Sequence, residues 1–232
     1  MFGLSVAALT LTAACSAVGG PLANSRASGG SSGGSSSGHD MNMPGMPGMM
    51  DTVRVKGESV PHNEDASGNS KAEADVSLVR DGNFVTVTVT GKRFAPGLVH
   101  AQHIHGPGAH ECPAIGADVN HDGLIDTSEG LPAYGPIVVS LTTSGDTSPK
   151  SGLAVDRFPV ADANGNYTYE RKLAVGTEIP TAVADHLTDF HVVSHGIDTN
   201  HDGAYDFGKG PSDLDPSLPQ EATVPASCGL IH

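Results

Sequence analysis

Hydrophobic and polar positions alternate in two adjacent stretches near the middle of the chain. Asp75-Val76-Ser77-Leu78-Val79 alternates, and Phe84-Val85-Thr86-Val87-Thr88-Val89-Thr90 alternates again. A period of two marks a strand with one buried face. Between them Arg80-Asp81-Gly82-Asn83 has turn chemistry, so the two stretches predict a β-hairpin. Further strands are predicted over 98–105, 136–141, 152–160, 167–173, 190–195 and 223–231. A turn is predicted at Asp162-Ala163-Asn164-Gly165-Asn166, and one short helical turn over 181–187. Short strands with turn signals between them predict an all-β domain, a Greek-key β-sandwich or barrel, spanning 73–232.

The chain before residue 73 reads differently. Residues 1–15 form an apolar stretch with small residues just before Cys15. It is too short to span a bilayer and matches the apolar core of an export signal. The small residues ahead of Cys15 resemble a bacterial lipobox, in which that cysteine takes the lipid. Residues 19–38 contain seven Gly and seven Ser in twenty positions, so 16–72 is expected to be an unstructured tether. Composition narrows the partners. The 232 residues carry 12 Lys+Arg against 26 Asp+Glu, a formal charge of −14. That excludes the basic footprint needed for nucleic acid or an anionic membrane surface, and leaves a lipid anchor as the expected membrane contact. The expected location is the exported face of a bacterial membrane or its periplasm-equivalent.

Three cysteines occur. With Cys15 assigned to lipid, Cys112 and Cys228 remain, and an oxidising compartment favours a disulfide between them. It closes a loop of 228 − 112 = 116 residues, which in the chain-entropy picture stabilises by roughly 4–5 kcal/mol.

Twelve histidines are many for this length. Pro96-Gly97-Leu98-Val99-His100-Ala101-Gln102-His103-Ile104-His105-Gly106 lies on a predicted strand, so His103 and His105 share a face about 6–7 Å apart and His100 points to the other. Two imidazoles at that spacing suit a transition metal such as copper, zinc, nickel or iron. The second source is Phe190-His191-Val192-Val193-Ser194-His195-Gly196. His191 and His195 share a face but lie about 13 Å apart on an extended strand. His195, at the strand end, is the expected ligand.

The first of these segments resembles the copper strand of the copper/zinc superoxide dismutases, with Pro-Gly followed by His-x-x-His-x-His. Val192-Val193-Ser194-His195 resembles the strand bearing that family's later copper histidine. Ser227-Cys228-Gly229-Leu230-Ile231 resembles its terminal strand, and Cys112 falls where its first disulfide cysteine stands. The resemblance implies a Greek-key β-sandwich, copper held by His103, His105 and His195, and dismutation of superoxide. Two family features have no counterpart. Pro225 stands where the active-site Arg is found, and no Arg follows Arg171. The zinc loop's cluster of His and Asp is also missing, so zinc is not expected. For the bridging histidine, His121 is the nearest candidate and His110 the weaker. His-Ile-His-Gly-Pro, with Gly135-Pro136-Ile137-Val138-Val139 later, also resembles a CHRD-type domain, which implies a surface module without catalysis.

Two acidic loops follow the histidine segments. Residues 118–129 place Asp118, Asn120, Asp122, Asp126 and Glu129 at positions 1, 3, 5, 9 and 12 of a twelve-residue calcium loop. Gly123 is at position 6, and Leu124 at position 7 offers its carbonyl. Pro113 and Pro132 are expected to interrupt the helices that would flank such a loop, so it reads as grafted into a β-domain. Residues 198–206 repeat the pattern with Asp198, Asn200, Asp202 and Asp206. Position 12 is Lys209, which cannot ligate calcium, leaving Asp213 or Asp215 to close the site.

Apart from Met1, every methionine lies within ten residues: Met41, Met43, Met46, Met49 and Met50, preceded by His39-Asp40. Thioethers favour Cu(I) and imidazole holds Cu(II), so the tract is expected to capture copper. Together these features predict an exported, lipid-anchored copper protein that also binds calcium. It either dismutes superoxide or stores and delivers copper without catalysis.

Overall fold

The computed structural model describes residues 51–66 and 71–232. These are mostly β. Eight strands form one curled antiparallel sheet with few helices. The strands are β1 (Asp51–Ser59), β2 (Glu73–Asp81), β3 (Phe84–Lys92), β4 (Gln102–His105), β5 (Ile137–Ser140), β6 (Tyr167–Ala174), β7 (His191–His195) and β8 (Pro225–Leu230). Their order is β5-β4-β7-β8-β1-β2-β3-β6. Four short helices lie in the connections: α1 (Asn63–Ala66), α2 (Thr127–Tyr134), α3 (Thr181–Asp185) and α4 (Gln220–Thr223).

The predicted hairpin forms as β2–β3, with Val79 opposite Thr86 and Leu78 opposite Val87. Its alternation buries Val76, Leu78, Val85, Val87 and Val89, while the threonines between are only partly covered. These valines meet Ile104, Val139, Val192 and Ile231 from the other half of the sheet in the main core. A smaller core of Val60, Ile125, Tyr134, Val193 and Cys228 lies on the opposite face of β7, beneath the connections. Cys112 and Cys228 are joined by a disulfide, which ties the connection after β4 to β8.

Three expectations about elements are corrected. The fold begins before residue 73: β1 pairs along β2 and, at its end, with β8. Val53, Val55 and Gly57 point inward between outward Arg54, Lys56 and Glu58, a period-two signal just after the Met-rich segment. Residues 152–160 are not a strand. Short 3-10 turns at Pro149–Ser151 and Val155–Arg157 occupy this region, with a single bridge from Val160 to Val99. Pro132 does not prevent a helix after the first acidic loop. It sits inside α2, late enough that the first turn and its cap form without its missing N–H.

Candidate metal centre

β4 is buried along its whole length, and its pairing explains where the histidines go. His103 lies opposite Val193 and His105 opposite His191. Alternation along β7 puts His195 on the same face as Val193, and so beside His103, and the His195 N–H donates to the Ala101 carbonyl. The side chains of His103, His105 and His195 converge there. One ring nitrogen from each lies within 4.8 Å of the others, and all three residues are buried. Ring centroids are 5.1 Å apart for His103–His195 and 5.5 Å for His103–His105. Phe158 packs against His103, and Tyr134 against His105.

Hydrogen bonds fix which nitrogen of each ring is free. His103 Nε2 faces the Gly152 carbonyl at 3.0 Å, His105 Nδ1 the Gly135 carbonyl at 2.8 Å, and His195 Nδ1 the Thr223 carbonyl at 2.7 Å. A carbonyl only accepts, so the facing nitrogen carries the proton and the other keeps its lone pair. The remaining atoms are His103 Nδ1, His105 Nε2 and His195 Nε2, and each is buried with no hydrogen-bond partner. Three buried lone pairs with no protein partner are costly unless something accepts them. A soft or borderline metal ion does so. Burial also keeps the rings neutral. It lowers His105 to about 3 and His195 to about 4, and holds His103 well below the usual imidazole range; the neighbouring rings add to the effect at His103 and His105.

Gly135 holds its carbonyl toward His105 from a left-handed backbone (φ 81°), and a Cβ there would collide with the Pro107 carbonyl. His100 is buried away from the cluster, between Phe94 and Tyr167, and bonds to the His195 carbonyl at 2.9 Å. It braces the strand end, a role the spacing did not show. His121 is corrected as a candidate ligand: it is exposed at the tip of the first acidic loop with φ 60°, outside the cluster. His191 is buried near His110, with ring centroids 6.1 Å apart. Cys15, His39, Met41, Met43, Met46, Met49 and Met50 lie outside the described residues.

The first acidic loop folds as its spacing suggests. Asp118 Oδ2 receives the Gly123 N–H, Asn120 Oδ1 that of Asp122, and Asp122 Oδ1 that of Leu124. Asp126 caps α2, and Glu129 reaches back so that its Oε1 receives the Val119 N–H and its Oε2 that of Asp126. Asp118 Oδ1 is buried without a partner. Asn63 of α1 clasps the loop by exchanging bonds with Ile125 and donating to the Pro225 carbonyl. The second loop repeats the same three internal bonds through Asp198, Asn200 and Asp202.

Comparison with protein-family models and with curated proteins finds no match for this chain.

Proposed function

We propose that this is an exported copper-binding protein with a domain of the superoxide dismutase-like, Greek-key kind, anchored through a lipid on Cys15. The observation that carries this reading is the set of three buried, unpartnered nitrogens on His103, His105 and His195. Their donor chemistry fits copper: all imidazole, neutral before any metal arrives, and enclosed by Phe158 and Tyr134. Copper held there by His103, His105 and His195 would supply a one-electron couple suited to the dismutation of superoxide. The carbonyls of Gly152, Gly135 and Thr223 hold the rings in one tautomer each, as outer-shell partners do in metal sites. The tract of His39 and Met41 to Met50 collects copper ahead of this site. Calcium at 118–129, through Asp118, Asn120, Asp122, Leu124, Asp126 and Glu129, stiffens the neighbouring connection.

A second reading, copper storage or delivery, is favoured by the closure of the site. The three free nitrogens are shielded from solvent, and Leu153, Val155 and Leu214 line the small cavity beside His103 and His195. The chain at −14 with no Arg after Arg171 also gives an anionic substrate little attraction. One experiment separates the roles. Copper per chain and superoxide consumption are measured for the wild type and for His103→Ala. One copper in the folded domain and turnover lost in the variant give the enzyme. One copper lost in the variant, with no turnover in either, gives storage. A domain that takes up no copper overturns both, and leaves a CHRD-like surface module.

A further inference from the structure

Lys209 at position 12 argued against the second loop, and neither Asp213 nor Asp215 closes it: Asp213 bonds the Ser128 N–H and Asp215 caps Ser217. The structure puts another carboxylate there. Glu221 Oε1 receives the Thr199 N–H and the Thr199 hydroxyl, and its Oε2 receives the Asp206 N–H at 2.9 Å. Thr199 and Asp206 are positions 2 and 9 of their loop, as Val119 and Asp126 are of theirs. Glu221 therefore makes the same two reaches as Glu129. In the first loop the closing Glu comes 129 − 118 = 11 residues after the first Asp; in the second it comes 221 − 198 = 23 residues after. The additional twelve residues leave the loop and return through α4.

We propose that Asp198, Asn200, Asp202, Asp206 and Glu221, with the Ala204 carbonyl, form a second calcium site whose closing carboxylate lies outside the loop. An observation independent of the loop's shape points to a bound cation. Asp198 is only 6% exposed, its Oδ2 receives the Gly203 N–H, and its Oδ1 is buried with no partner. Glu221 is fully buried. Among the described residues, no Lys, Arg or His forms an ion pair with any of the four carboxylates. Two buried carboxylates with two more beside them and no counter-charge are expensive. A divalent cation removes that cost. Six oxygen donors, among them a Glu able to give two oxygens, match calcium, whereas magnesium prefers to keep its waters.

This site deepens the calcium reading of 118–129 but does not require it, and the test keeps them apart. Calcium binding to the copper-free full chain is followed by calorimetry for the wild type, Glu129→Gln, Glu221→Gln and Asp202→Asn, with millimolar magnesium as the competing probe. The expected result is two ions on the wild type and one on each variant. Glu221→Gln weakens binding at the second loop by roughly 100-fold, as expected for loss of a charged ligand, and leaves the event at 118–129 unchanged. Glu129→Gln leaves the second loop untouched, so one ion on that variant supports the proposal even should Glu221→Gln fold poorly. No ion on Glu129→Gln overturns it, as does an ion that magnesium displaces at equal concentration. One ion on the wild type, lost in Glu221→Gln but kept in Glu129→Gln, upholds this site and overturns the calcium reading of the first loop.

Discussion

The carbonyls facing His103, His105 and His195 decide more than ring orientation. By taking the proton side of each imidazole they leave mixed nitrogens pointing inward, Nδ1 from His103 and Nε2 from the other two. An ion then meets neutral ligands and need not displace protons. The consequence is a pH profile. An exposed imidazole titrates near 6.5, whereas His105 and His195 are lowered to about 3 and about 4 by burial. As pH falls below 6.5 the unfolded chain binds protons that the fold refuses. The metal-free protein therefore loses stability from there toward about 4, by up to ~1.4 kcal/mol per pH unit for each such histidine. Copper affinity stays nearly flat over the same range, because in the fold protons do not compete until pH approaches those lowered values. Urea unfolding and copper titration at pH 7, 6 and 5 check both. Stability is expected to fall steadily, and copper affinity to change by less than about tenfold. A loss of affinity of a thousandfold or more by pH 5 would show rings that titrate as exposed ones do, since each exposed ring costs about thirtyfold there.

At the scale of elements, the legible parts were those with one wet face. β2 and β3 alternate because threonines and valines divide between two environments, and the sequence pattern records that division. β4 and β7 are covered on both faces and carry no alternation; their histidine spacing revealed them instead. β1 follows the Gly/Ser-rich and Met-rich segments, whose composition masks the six alternating positions of 53–58. His195 is legible from its place at a strand end, and the bond from its N–H to the Ala101 carbonyl holds it beside β4. The reach of Glu221 to Thr199 and Asp206 is illegible because sequence spacing cannot show a carboxylate returned by an inserted segment. α4 also carries Thr223, whose carbonyl takes both the His195 Nδ1–H and the Thr127 hydroxyl of α2. α4 thus carries both Glu221, the proposed calcium ligand, and the carbonyl that fixes the ring of His195, a proposed copper ligand. Removing calcium with a chelator that spares copper is expected to weaken copper binding about fivefold or more, the usual scale of coupling between linked sites, and to lower the melting temperature. Copper affinity and melting temperature unchanged by chelation would show that α4 keeps its place unaided.

For the molecule as a whole, the claim is that one sheet holds a three-nitrogen copper site, with acidic loops and a disulfide bracing its connections. It is tested most directly in the metal-free full chain by 15N NMR of the histidine rings at pH 7, before and after adding Cu(I). The account predicts a neutral Nε2–H ring at His103 and neutral Nδ1–H rings at His105 and His195, with Cu(I) shifting the three unprotonated nitrogens and no others in the folded domain. A cationic ring among the three, or a His195 nitrogen that Cu(I) leaves unmoved, would contradict it.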